Sequence, residues 1–161
     1  NKMFYFSGSN NEKLITNKIE IFDNVIPSSN SVMFHNLLIL GKIYNDNLYI
    51  NLYNEMTKKL KKYLNNYEFM SNWIFINEIN QKMINEIEIK DISYNHKITK
   101  EINSWYLPNK ILMYNNRPFS LYTKHENLKL SIYLCRNNVC NETIYSINNL
   151  KNTITSNQPG Y

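Results

Sequence analysis

The spacing of apolar residues changes near residue 86, and that change divides the chain into two parts. Between residues 29 and 42, Val32, Met33, Phe34, Leu37, Leu38 and Leu40 follow one another too closely for a one-sided surface helix. This predicts a helix buried on most of its sides. After the turn Asn45-Asp46-Asn47, the residues Tyr49, Leu52, Tyr53, Met56, Leu60, Tyr63 and Leu64 recur at steps of three and four, which predicts an amphipathic helix over 48–64. Its lysines fall mainly on the other side, so Lys58 to Lys62 read as a solvated exterior. A third helix is predicted over 69–84 from Phe69, Trp73, Ile76, Ile79 and Met83. Short loops between the three imply an antiparallel array.

From residue 86 the period becomes two. Glu86 to Ile92 alternate charge with isoleucine, predicting a strand with one buried face. Residues 93–107 read as a helix that stops before Pro108. Two more strands are expected over 109–115 and 128–135, the latter with Leu128, Leu130, Ile132 and Leu134 on one side. Ser146 is placed to cap a last helix through Ile147, Leu150 and Ile154. The organisation expected is therefore a helical part over 1–85, a small α/β unit over 86–155 and a frayed end over 156–161.

Composition narrows function by exclusion. The 161 residues suffice for one domain with a core or for a substantial piece of a larger protein. The opening residues carry no initiator methionine, which reads as an internal or C-terminal fragment. There is no alanine, and asparagine, lysine, isoleucine and tyrosine are in excess, as an AT-rich coding sequence gives. The net charge of +5 comes almost wholly from scattered lysines, with Arg117 and Arg136 the only arginines; nucleic-acid binders concentrate arginine and aromatics on one face, so no nucleic-acid partner is expected. No run approaches the roughly 18 to 20 apolar residues of a membrane span, so no membrane partner is expected either. With two cysteines and three scattered histidines (His35, His96 and His125), a zinc site is not expected. No phosphate loop, zinc-protease, nucleophile-elbow or calcium-loop pattern is present, and no cofactor is expected.

Two polar constellations remain. Asp23, Pro27, Ser28, Ser29, Asn30, Ser31 and, one turn later, His35 gather at the start of the first helix. They supply what a helix start needs, with Ser28 or Ser29 as the cap, and helix N-termini also attract anions and polar ligands. The second constellation is Cys135 and Cys140 around a turn-forming Arg136-Asn137-Asn138. Two thiols at this spacing can meet across a tight hairpin, but in a reducing compartment a pair of free thiols is the expected state.

Three segments together resemble one family. Residues 14–40, LITNKIEIFDNVIPSSNSVMFHNLLIL, residues 104–115, SWYLPNKILMYN, and residues 130–154, LSIYLCRNNVCNETIYSINNLKNTI, are similar, in that order, to motifs of the spermatogenesis-associated thioredoxin-like family. The resemblance implies a mainly α fold, the last antiparallel hairpins of a six-hairpin (α/α) toroid like that of six-hairpin glycosidases, followed by a small α/β tail. The remainder of the same polypeptide, with an N-terminal thioredoxin-like domain, would lie outside these residues and be their partner. Glu20, Asp23, Pro27, Ser28, Asn30 and Ser31 match one family motif, and Cys135, Arg136, Asn137 and Cys140 match another. The chain departs from the family at Asn17, Ile19 and Ser29, where arginine, lysine and glycine are usual.

On that resemblance Glu20 and Asp23 are candidate catalytic carboxylates. Ser28, Asn30 and Ser31 are candidate contacts for a carbohydrate or other small molecule, and Cys135 and Cys140 a candidate thiol pair. Glycoside chemistry takes two carboxylates ~5 to 9.5 Å apart. The alternative from a different class is a non-catalytic, redox-linked scaffold that docks the thioredoxin-like domain or a client protein.

Overall fold

In the computed structural model, Ser28 ends an extended segment, and its hydroxyl accepts the Ser31 N–H at 3.2 Å to begin helix α1 (Ser29–Tyr44). The structure describes residues 3–8, 10–11, 16–91, 96–114, 130–137 and 139–156. Two units are defined, Asn1–Gln81 and Lys82–Tyr161, so the division falls four residues before the change of period at 85/86.

In the first unit, α1 is followed by α2 (Asn47–Leu60), a 3₁₀ segment (Leu64–Phe69) and α3 (Ser71–Gln81). Asn45 takes a left-handed conformation to end α1, and Asp46 Oδ1 accepts the Leu48 N–H at 2.7 Å to start α2. Helix α1 packs against α2 and α3. Between them the Phe34 ring stacks on Tyr53 at 4.3 Å and meets Trp73 at 5.1 Å. Met56, Met70 and Ile76 are fully buried in this unit. A Cβ on Gly41 would lie 3.1 Å from Ile50 Cγ1, so the absence of a side chain there lets α2 approach α1 closely.

Helix α1 is less enclosed than its sequence predicts. Its buried positions are Asn30, Ser31, Phe34, Leu37, Leu38 and Gly41, a stripe at steps of three and four, whereas Val32 is 45% exposed. The density of apolar residues overstated the burial because polar Asn30 and Ser31 hold inward places.

The second unit holds β1 (Asn85–Asp91), α4 (His96–Ser104), β2 (Lys110–Tyr114), β3 (Leu130–Arg136), β4 (Val139–Cys140) and α5 (Ile147–Ser156). The sheet order is β2-β1-β3-β4, with β1 parallel to β2 and antiparallel to β3. Parallel neighbours need a crossover, which α4 supplies. One face of the sheet, carrying Ile87, Ile89, Ile132 and Leu134, packs with Ile98 and Ile102 of α4 and Leu150 and Ile154 of α5. Lys110 closes α4 from below, its Nζ donating to the carbonyls of Ile102, Asn103 and Trp105 at 2.8, 3.2 and 2.9 Å. The Asn149 N–H donates to Ser146 Oγ at 3.2 Å, the expected cap of α5. Leu128, His125 and residues 157–161 lie outside the described residues.

The expectation of a mainly α fold built from toroid hairpins is overturned. Among the described residues five α-helices accompany a four-stranded mixed sheet, which is an α/β fold. The physical reason lies in β1 and β3. Strand β1 is not half-solvated: Glu86 and Glu88 are 0% and 1% exposed, as inaccessible as Ile87 and Ile89 that alternate with them. A strand shielded on both faces is the centre of a layered fold rather than part of an appendage to helices.

Candidate functional site at the start of the first helix

The polar constellation before α1 is gathered in space, and the sequence around it explains how. Pro27 cannot extend a strand ladder, and Ser28 is held at φ −67°, ψ 153°. This directs the chain into α1 with its first N–H groups facing back toward residues 20–23. Asp23 is 4% exposed, Ser28 2%, and Asn30 and Ser31 0%. Each has partners within the protein.

Asp23 Oδ1 accepts the Ser28 N–H and the Ser31 hydroxyl, both at 2.8 Å. Its Oδ2 accepts the Asn72 N–H at 2.9 Å. Asn72 is the second residue of α3, so one carboxylate serves the N-termini of two helices. That is a favourable place for a negative charge, because unpaired N–H groups and the helix dipoles both point at it. Glu20 Oε2 accepts the Ser29 N–H at 3.2 Å, and Ser28 Oγ donates to Ile21 O at 2.9 Å. Asn72 Nδ2 donates to Ser31 Oγ at 2.9 Å. Asn30 clasps Phe4 from both sides, its Oδ1 accepting the Phe4 N–H at 2.8 Å and its Nδ2 donating to Phe4 O at 2.9 Å and to Glu20 O at 2.8 Å. Trp73 Nε1 donates to Ile21 O at 2.8 Å.

The structure therefore brings Glu20, Asp23, Ser28, Asn30 and Ser31 together, but as the joint that starts α1 and α3. The carboxylate oxygens of Asp23 are taken by the chain's own donors, and Asn30 spends its amide on backbone. His35 is half-buried on α1, and burial holds its imidazole below its ordinary pKa.

Cys135 and Cys140 are paired across β3 and β4 and joined as a disulfide. This corrects the expected pair of free thiols. The antiparallel register sets the two residues directly opposite each other, closer than hairpin spacing alone indicates. Asn137 at φ 50° makes the intervening turn, and Arg136 Nε donates to Asn85 Oδ1 at 2.8 Å. Desolvation holds the Arg136 guanidinium below its ordinary pKa.

Residues that the sequence reading did not single out matter as much. Asn72 completes the Asp23 joint from 49 positions away, and no local pattern signals it. Glu86 and Glu88 share a buried face of the sheet with Ile111, Met113, Ser131, Tyr133 and Cys135. There Lys90 Nζ lies 3.6 Å from Glu88 Oε1 and 5.7 Å from the centre of the Tyr133 ring. The charge alternation was visible but read as a solvent face. Among the described residues no three His, Cys, Asp or Glu side chains are grouped to hold a metal ion, and no helix is long and apolar enough to cross a membrane. Comparison of the chain with protein-family models, curated proteins and solved structures gives no match.

Proposed function

We propose that this chain is a non-catalytic, redox-linked scaffold that docks a client protein. Sugar chemistry at Glu20 and Asp23 would need carboxylate oxygens turned toward a ligand, and those of Asp23 are turned inward to helix N–H groups. What the same joint holds outward is apolar. The Phe22 ring stands edge-on to Tyr63 at 5.7 Å and to Phe69 at 6.3 Å, while Val25 is 96% and Ile26 73% exposed beside it in the chain. That outward cluster is the observation that carries the reading, since apolar side chains concentrated at one place mark protein contact.

Charge specifies the client. Lys58, Lys59, Lys61 and Lys62 lead directly into Tyr63, against the single acid Glu68 in the stretch 58–69. The surface suits an acidic segment that also carries apolar side chains. The redox link is the Cys135–Cys140 disulfide.

The experiment is selection of displayed random peptides on the immobilised full chain. Peptides with aspartate or glutamate flanking apolar residues should be enriched, and their binding should weaken at least about tenfold in Ile26→Asp and again in the double variant Lys61→Glu, Lys62→Glu. Enrichment of basic or purely polar peptides, or binding unchanged in those variants, overturns the proposal. Alkylation followed by mass spectrometry reads the redox part: cysteines that are always free to react remove it.

A further inference from the structure

A second feature, independent of the docking surface, lies beside the disulfide. Residues 141–145 and helix α5 enclose an open cavity of about 540 Å³, lined by Asn141, Glu142, Tyr145, Asn149, Asn152 and Thr153 among others. Its size is that of small-molecule sites, a few hundred Å³ and upward.

The walls of the cavity are held in place. The segment before Tyr145 is fixed at three points: the Cys135–Cys140 bond, the Asn141 N–H donating to Leu134 O at 2.9 Å, and two bonds between Ile144 and Ile132 at 2.9 and 2.8 Å. On the other side, Leu150 and Ile154 fix α5 in the core. Asn149, Asn152 and Thr153 then share a different face at steps of three and four. A site on such supported elements is preorganised rather than formed on binding.

The lining selects a chemical class. Asn149 and Asn152 carry primary amides with donors and an acceptor each, as does Asn141, and Glu142 carries acceptors only. The Thr153 hydroxyl donates its proton to Asn149 O at 2.8 Å and keeps acceptor capacity alone. Among the described residues no lysine, arginine or histidine lines the cavity, so none of them compensates a phosphate or carboxylate there. Ile144 is the one aliphatic residue in the lining and is itself buried, which argues against an apolar ligand. Tyr145, 52% exposed, supplies an aromatic ring of the kind that takes the C–H face of a pyranose. We propose that this cavity binds a neutral saccharide, with Asn149 and Asn152 gripping adjacent hydroxyls and Tyr145 stacking on the ring. Neither Glu20 nor Asp23 takes part.

The test is saturation-transfer NMR on the full chain with methyl α-D-glucopyranoside, methyl α-D-mannopyranoside, N-acetyl-D-glucosamine and maltose, against glucose 6-phosphate and choline as charged controls. At least one neutral sugar should bind in the range of about 1 mM, more tightly than either control. Asn149→Leu with Asn152→Leu should weaken it at least about tenfold. Tyr145→Ala and Thr153→Val, read separately, should do the same in part, so a double variant that fails to fold does not leave the matter open. Absence of transfer from all four sugars at about 50 mM, some fifty times that Kd, overturns the proposal. So does stronger binding of phosphate or choline, or transfer that the folded variants leave unchanged.

Discussion

Asp23 and Asn72 are joined by a 2.9 Å hydrogen bond from the backbone N–H of the second residue of α3 to a carboxylate that also receives the start of α1. Two helices thus begin on one side chain. Replacing Asp23 with Asn removes the charge and turns a donor toward donors. The expected loss of stability is about 2 to 4 kcal/mol, read by urea unfolding, and a smaller loss of about 1 to 2 kcal/mol is expected for Ser31→Ala. Unchanged unfolding midpoints would show that the joint does not support the fold.

Lys110 is the closing group of α4. Its ammonium meets three carbonyls at the helix C-terminus, where a cation is favoured by the helix dipole. Lys110→Met should cost about 1 to 2 kcal/mol and speed amide hydrogen exchange in the last turn of α4 selectively. Equal acceleration along the whole helix would point to a general loss of packing instead.

His35 gives the fold an acid sensitivity. Burial lowers its folded pKa, so between that value and the unfolded value of about 6.5 the unfolded chain binds the extra proton. Its contribution to stability is complete above about pH 6.5 and is lost as the pH falls through 6.5 toward the folded pKa. His35→Gln should flatten this part of the stability–pH curve. A curve of the same slope in the variant would assign the effect to other groups.

Reduction of Cys135–Cys140 reopens a short loop. From chain entropy alone the bond is worth about 2 kcal/mol for a loop of this length, and β4 has only two ladder pairs of its own. Chemical denaturation with and without a reductant should differ by that amount. A Cys135→Ser, Cys140→Ser variant should weaken saccharide binding in the cavity beside Tyr145 while leaving α4 protected from exchange.

Met83 holds a left-handed backbone at φ 60°, which costs a side-chain-bearing residue and not glycine. Asn109 Nδ2 donates to its carbonyl at 2.9 Å, keeping it there. Met83→Gly should therefore be neutral to stabilising, by up to about 1 kcal/mol, despite removing an apolar side chain. A clear loss in thermal melting would show that the side chain packs more than its 50% exposure indicates.

The helices were legible because their burial obeys a local period: Tyr53, Met56 and Leu60 in α2, and Trp73, Ile76 and Ile79 in α3, are the apolar positions of the pattern. Ser146 could be read as a cap for the same reason. The site was legible only as a collection of residue types. Its meaning depended on Asn72 and Phe4, 49 and 26 positions from their partners, and separations of that size leave no trace in a local pattern. The mainly α class followed from the resemblance rather than from any local pattern, and the burial of the sheet was missed where alternation was equated with solvent. Glu86 and Glu88 have the spacing of an exposed face, and only the neighbours Ile111, Met113, Tyr133 and Cys135 show that they are covered.

That covering makes β1 a lock on the folding of its own sheet. A slip of one residue against β3 would send Glu86 and Glu88 among Ile98, Ile102, Leu150 and Ile154, and would put Ile87 and Ile89 beside Lys90's tyrosine. A strand slipped this way moves two carboxylates from their native partners into an apolar layer, which carries a desolvation cost. Misregistered chains should therefore fail to compact rather than settle into a stable wrong fold, and a charge-removing change such as Glu86→Ile would relax that proofreading and raise the yield of misfolded, aggregating protein during refolding.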